Sequence, residues 1–209
     1  MDAAFIATAF ATAFTIIDPI GMIPMTIAAT ARLAPERRNQ IVDQAVLVGA
    51  CIILFMGVVG RWILNSLGIT LPAFTIAGGI LLFLIAIDML FARPTGAKRT
   101  EAEEREAAQT ENPAVFPLAV PMIAGPGTIA TVLLLVSLSR GDRLDLSIVA
   151  LAYTVALAVT WVCMRASSIL LKLIGTTGIH VISRLLGIIL AALAVQFVLN
   201  GLSQSILRR

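Results

Sequence analysis

Six long apolar stretches dominate the chain, at residues 3–31, 41–67, 72–92, 114–139, 144–173 and 178–206. Each reaches the roughly 20 residues that a helix needs to cross the hydrocarbon core of a bilayer. Lipid offers the backbone no hydrogen-bond partner, so a spanning segment must bond its own amides, and a helix does so within the segment. Composition agrees. Of 209 residues, 59% are hydrophobic and 13% charged, against roughly 25% charged in an ordinary soluble domain. The mean hydropathy is +0.99. A water-soluble fold of this length could not keep its surface wet with so few polar residues. The pattern argues against a soluble enzyme, a nucleic-acid binder and a disordered chain. The net charge of +3 then reads as loop charge that fixes orientation in a membrane.

The first stretch is too long for a signal-peptide core and has no basic residues before it, so it is expected to be a helix of the mature protein. Cys51 and Cys163 sit inside apolar runs and read as buried free thiols. The lone His180 has no ligand-spaced companion, so no metal site is expected. No phosphate loop, dinucleotide fingerprint, nucleophile elbow or zinc-protease helix is present, and no enzyme activity is expected.

The expected orientation follows from lysine and arginine placement. Loops after spans 1, 3 and 5 hold nine (Arg32, Arg37, Arg38, Arg93, Lys98, Arg99, Arg105, Arg165 and Lys172). The opposite side holds five (Arg61, Arg140, Arg143, Arg208 and Arg209). This puts the odd loops in the cytoplasm and both termini outside an inner (plasma) membrane. Residues 93–113 form the longest polar stretch and mix both signs, as a solvated cytoplasmic linker does.

The chain also repeats itself. Placing Gly79 on Gly187 sets Asp88 on Gln196, an offset of 108, while Asp18-Pro19 falls over Gly125-Pro126 at an offset of 107. Each half, 1–92 and 114–209, then holds three spans. An odd number of crossings inverts the second half relative to the first. The expected fold is an all-α membrane protein of six transmembrane helices, arranged as two inverted three-helix repeats within one transmembrane domain. That architecture is common in secondary transporters, with the site near the midplane between the halves.

Spans 1 and 4 carry helix breakers at matching depths. Span 1 contains Asp18-Pro19-Ile20-Gly21-Met22-Ile23-Pro24, and span 4 contains Pro121-Met122-Ile123-Ala124-Gly125-Pro126-Gly127-Thr128. By position, Pro19 and Pro24 free the carbonyls of Thr15 and Ile20, and Pro121 and Pro126 those of Pro117 and Met122. Helices 1 and 4 are therefore expected to be broken. Half-helix N-termini suit a carboxylate, and freed carbonyls suit an ammonium or small cation. Packed proline kinks are the structural alternative.

Asp18 lies deep in span 1, where a carboxylate is costly and usually functional, although it could equally cap the second half of its own break. Arg184, in span 6, could meet a substrate carboxylate or Asp18, or reach back to the interface. Asp88 reads as an interface charge or ion-pair partner. Gln196, Thr128 and Thr131 offer neutral hydrogen bonds, and small residues at Ala4, Thr8, Thr12, Ala45, Gly49, Gly187 and Ala191 permit close helix approach.

The stretches Asp18–Pro24, Ala77–Phe91, Phe116–Ala130 and Ser183–Gly187 resemble the MarC family of six-helix bacterial and archaeal inner-membrane proteins. The similarity runs over essentially the whole chain. It implies importance for Asp18, Pro19, Gly21, Pro24, Pro121, Gly125, Pro126, Thr128, Arg184 and Gly187. Members resemble the amino-acid exporter superfamily, and some are described as transporters of small neutral amino acids such as alanine and glycine.

The expected function is thus a secondary carrier of a small neutral amino acid, driven by a proton or sodium gradient and needing no cofactor. Its partners are the small-molecule substrate and the lipid bilayer, with no nucleic acid. Its candidate substrate-binding residues are Asp18, Pro19, Gly21, Pro24, Pro121, Gly125, Pro126, Gly127, Thr128 and Arg184. Export of other small molecules, drugs included, is one alternative, although nothing aromatic lines the breaks. A non-transport membrane partner protein is another. The sequence leaves cargo, direction and oligomeric state open.

Overall fold

Proline and capping residues mark where the helices begin. In the computed structural model, which describes residues 3–30, 33–91, 113–139 and 141–206, all elements are helical. They are α1 (Ala3–Ile17), α2 (Met22–Ala29), α3 (Pro35–Ser66), α4 (Leu71–Phe91), the wide irregular coil α5 (Ala114–Ile123), α6 (Pro126–Leu138), α7 (Arg143–Arg165) and α8 (Ser167–Ile206). Pro35 opens α3 behind an extended Ala34, with Glu36 in the first turn, which places a preset φ and a negative charge where a helix start favours both. At the start of α7 the Asp142 carboxylate accepts the Leu144 N–H at 2.8 Å. Asp145 lies in the first turn and Arg165 in the last, complementing the helix dipole.

Five stretches are long and apolar enough to cross a membrane: Ala3–Ala29, Pro35–Gly60, Pro72–Phe91, Arg143–Arg165 and Ser167–Ser205. The pair Ala114–Ile123 and Pro126–Leu138, bent by 49°, makes a sixth when taken as one span. The polar linker read over 93–113 lies outside the described residues except for Pro113, as do Arg32, Arg93, Lys98, Arg99, Arg105, Arg140, Arg208 and Arg209.

Two boundaries differ from the sequence reading. The fifth span stops at Arg165 instead of continuing to residue 173, and the sixth helix starts at Ser167 instead of 178. The corner is a single residue, Ala166 (φ −84°, ψ 6°). The Ser167 hydroxyl donates to the Met164 carbonyl at 2.6 Å, satisfying one of the carbonyls that a helix end leaves open. Arg165, Ser167 and Ser168 flank the corner, but the apolar runs on either side are long enough to carry the mean hydropathy across it. Gly175 (φ 71°, ψ 165°) then interrupts α8.

Packing centres on α4 and α8, which make the most extensive contact in the molecule, while α1 lies on α7 and α3 on α5 and α6. Two glycines set the closeness of α4 and α8. A Cβ on Gly79 would sit 2.8 Å from both the Ala194 carbonyl and the Val198 side chain. A Cβ on Gly187 would sit 3.0 Å from the Met89 Cβ, and 3.4 Å from the Ala86 carbonyl and the Leu90 side chain. Helices in lipid gain from such close backbone approach, because they have no water-driven hydrophobic attraction for one another. Leu82 and Ile85 of α4, Leu118 and Ile123 of α5, and Leu134 and Leu135 of α6 are fully buried in the core. Leu54, Val58 and Trp62 form an exposed row on α3, which costs nothing against acyl chains.

Polar contacts fasten the first turns of α3 to the α7–α8 corner. The Asp43 carboxylate accepts from the Trp161 indole at 2.7 Å and from the Arg165 guanidinium at 3.1 and 2.5 Å. Arg165 stacks over the Trp161 ring at 4.8 Å. Arg38 donates to the hydroxyls of Ser168 and Ser167.

Gly79→Leu and Gly187→Leu should each wedge α4 from α8. An overpacking cost of about 1–3 kcal/mol is expected for either one, read as a lowered thermal unfolding midpoint in detergent. A comparable change at the open Gly57 of α3, where only Val132 comes within 4 Å, should leave the midpoint nearly unmoved.

Candidate functional site

The first interruption is built by Asp18. Helix α1 ends at Ile17, and Asp18 turns the chain through a left-handed backbone conformation at φ 52°. Aspartate is one of the few side-chain-bearing residues that adopt this region readily. Its carboxylate Oδ1 accepts the Gly21 N–H at 3.0 Å, and its carbonyl accepts the Met22 N–H at 3.1 Å. A Cβ on residue 21 would lie 2.1 Å from Asp18 Oδ2, so the glycine makes room for the carboxylate. Asp18 is 4% exposed. Of the two readings its position allows, the turn-forming one describes these contacts directly.

Pro24 acts differently from the expectation. It is the third residue of α2, within the first turn, where amides have no intrahelical carbonyl to reach and a missing N–H costs no bond. The Ile20 carbonyl, expected to be free, accepts the Ile23 N–H at 3.1 Å. Pro24 therefore starts the second helix, and the interruption is confined to 18–21.

The second interruption is less regular. Phe116 and Val120 have extended backbone, and each is joined by a cis peptide to the proline that follows, Pro117 and Pro121. Proline disfavours the helical region for the residue before it, so α5 is a coil rather than a half-helix. Its turns are wide, with the Ala124 N–H reaching back five residues to the Ala119 carbonyl at 2.8 Å. Gly125 then folds close over Pro121; a Cβ there would meet the Pro121 carbonyl oxygen at 2.1 Å. Pro126 is the first residue of α6, where proline is well accommodated.

The last turn of α1 and helix α4 meet the start of α6 through side chains. A Cβ on Gly127 would lie 2.4 Å from the Ile85 methyl of α4 and 3.0 Å from the Ile16 methyl of α1. Around this point Ile16, Ile85, Pro121, Met122, Gly125, Pro126, Gly127 and Thr128 line a small cavity. Its roughly 10 Å³ is about the space of one water. Pro126 is exposed at its mouth, while Thr128 is 2% exposed. The Ile129 N–H closes on the Gly125 carbonyl at 2.9 Å. Gly127 and Thr128 therefore carry the first-turn amides that have no intrahelical carbonyl, and they form a positive helix end beside the cavity. Thr131 stiffens that turn, its hydroxyl donating to the carbonyls of Gly127 at 2.6 Å and Thr128 at 3.0 Å. Tyr153 of α7 is likewise buried, at 3% exposed.

Five of the ten sequence candidates thus gather at one cavity: Pro121, Gly125, Pro126, Gly127 and Thr128. Asp18, Pro19, Gly21 and Pro24 build the neighbouring turn and do not line it. Arg184 is exposed on α8 and is not among the lining residues. Ile16, Ile85 and Met122 line the cavity without having been singled out. Met122 lies between candidate prolines and Ile16 two residues before Asp18, but Ile85 carries no local signal. Among the described residues, no group of three or more His, Cys, Asp or Glu side chains converges on a metal-sized site.

Helical elements of this length and apolarity define an integral multi-span membrane protein. Residues 3–206 match the family described as MarC family integral membrane protein, and the chain belongs to that family. It is similar to a UPF0056 membrane protein of Methanocaldococcus jannaschii, at 35% identity over 99% of this chain and 100% of the relative. A UPF0056 membrane protein of Archaeoglobus fulgidus is 36% identical over 97% of this chain and 94% of the relative. One of Aquifex aeolicus is 36% identical over 93% and 90%. No solved structure matches the chain.

Asp18→Ala should remove the acceptor for the Gly21 N–H and destabilise the protein by about 0.5–2 kcal/mol, while Asp18→Asn keeps an oxygen there and should lose less. Gly125→Ala should cost more than Gly21→Ala, because its new methyl meets a backbone carbonyl rather than a side chain that can turn away. Thermal midpoints of the four variants in one detergent give both orders.

Proposed function

We propose that the protein is a secondary transporter of small neutral amino acids of the alanine and glycine type, driven by a proton or sodium gradient across the inner membrane. In this reading residues 1–92 and 114–209 are inverted three-helix repeats joined by a cytoplasmic linker at 93–113, and both termini are extracytoplasmic. Spans 1 and 4 are the interrupted ones.

Reciprocal packing of α4 and α8 supports the repeat. At the offset of 108 that aligns Gly79 with Gly187, Ala194 corresponds to Ala86 and Val198 to Leu90. Gly79 packs on Ala194 and Val198, and Gly187 packs on Ala86 and Leu90. Each glycine touches the counterparts of what touches the other, as in a two-fold, self-complementary contact. The pairing is also antiparallel, since early α4 meets late α8.

The single observation that carries the transport reading is the convergence at Gly127. The last turn of α1, the middle of α4 and the unsatisfied first turn of α6 come together there, beside the cavity. Amides at a helix start favour a carboxylate. The buried Thr128 hydroxyl adds a neutral hydrogen bond. Aliphatic Ile16, Ile85 and Met122 suit a small apolar side chain and offer nothing to a large polar one. A water-sized space is the closed form of such a site. Admitting alanine requires Ile16 or Ile85 to withdraw from Gly127.

Proteoliposomes with labelled alanine and glycine test the reading. Flux or exchange under an imposed proton or sodium gradient is expected. Its absence under every gradient, with correctly inserted protein, overturns the reading. Thr128→Val removes one buried hydrogen bond to the solute, worth about 1–2 kcal/mol, so KM should rise roughly 5- to 30-fold. Asp18→Asn should abolish transport while leaving insertion intact.

A further inference from the structure

The segment 167–174 is surplus to crossing the membrane. Helix α8 runs for 40 residues, about 60 Å at 1.5 Å per residue, twice the hydrocarbon thickness. Residues 176–206, after the interruption at Gly175, are already long enough to span. Helix α7 completes its own crossing at Arg165, so Ser167 starts at the level of a membrane surface. Trp161 and Arg165 mark that level, as aromatic and basic residues do at the headgroup boundary.

The side chains of 167–174 divide into three faces. At about 100° per residue, Ser167, Leu170, Leu171 and Ile174 share one side, and these are the buried and half-buried ones. Ile169 and Leu173 share a second side and are 64% and 77% exposed. Ser168 and Lys172, both exposed, share a third. A helix standing in water has no use for the second face, and a helix threaded through hydrocarbon has no place for the third. All three are satisfied where protein, acyl chains and headgroups meet.

We propose that residues 167–174 form a short helix lying in the plane of the membrane at the α7–α8 corner, with Ile169 and Leu173 in the acyl chains and Ser168 and Lys172 among the headgroups. Its first turn is tied to α3, because Arg38 donates to Ser167 and Ser168. The partner is the phospholipid leaflet itself, and Lys172 favours anionic headgroups. The assignment stands on membrane integration alone and does not depend on transport.

Spin labels at single cysteines test it. Ile169→Cys, Leu173→Cys, Ser168→Cys and Lys172→Cys are made in a background with Cys51 and Cys163 replaced by serine, and reconstituted in phosphatidylethanolamine–phosphatidylglycerol nanodiscs. Labels at 169 and 173 should be relaxed preferentially by oxygen, at depths of about 5–10 Å below the headgroups. Labels at 168 and 172 should be relaxed preferentially by a water-soluble nickel complex. Four water-accessible labels, or four oxygen-dominated ones, overturn the proposal. If the cysteine-free background does not fold, hydroxyl-radical footprinting of the unaltered protein in the same nanodiscs reads the same contrast. Protection of Ile169 and Leu173 supports the proposal, and oxidation at both refutes it.

Discussion

A backbone amide or carbonyl without a partner in hydrocarbon costs several kcal/mol, and the local structure at both interruptions follows from that cost. The chain spends its irregular backbone in only a few places, and at each of them nearby atoms close most of the open bonds. At 18–21 the Asp18 carboxylate takes the Gly21 amide, and the carbonyls of Asp18 and Ile20 take the amides of Met22 and Ile23. At the second place a five-residue reach from Ala124 to Ala119 does the same. At the α7–α8 corner a serine hydroxyl serves. At the start of α6 the amides of Gly127 and Thr128, like those of any first turn, reach no carbonyl of their own helix.

Much of this is legible in the sequence, and the reason is chemical. Long apolar runs favour helix, so the all-helical class and the approximate place of five spans, six with the bent pair over 114–138, follow from hydropathy. Proline and glycine at 18–24 and 121–128 mark where regular helix must stop. Half of the candidate residues meet at the cavity because they are near neighbours in the 121–128 segment, which folds around it.

The rest is not legible, for identifiable reasons. A proline's effect depends on where the next helix begins. Pro24 and Pro126 fall in first turns and open nothing, whereas Pro117 and Pro121 keep α5 from becoming a regular helix. The corner at Ala166 is flanked by Arg165, Ser167 and Ser168, a polar mark too brief to stand out between two long apolar runs. Ile85 enters the cavity only through the approach of α4 to Gly127, a tertiary fact with no local sequence mark. Arg184 drew attention as a charge within an apolar stretch, yet its side chain is exposed. A long basic side chain on a membrane helix reaches outward at little cost.

Asp18 stands alone among the described non-glycine residues in having a positive φ. Its N–H closes the last turn of α1 on the Phe14 carbonyl, and its own carbonyl takes the Met22 N–H that opens α2, so a change of angle between α1 and α2 falls on residues 18–21. Helix α2 is eight residues, an arm of about 12 Å. A swing of a few tens of degrees at that pivot therefore carries its far end, at Ala29, through several ångströms while the body of α1 stays seated on α7. The direction of α2 is thus set within residues 18–21, and the Asp18 carboxylate that holds the Gly21 amide helps to fix it.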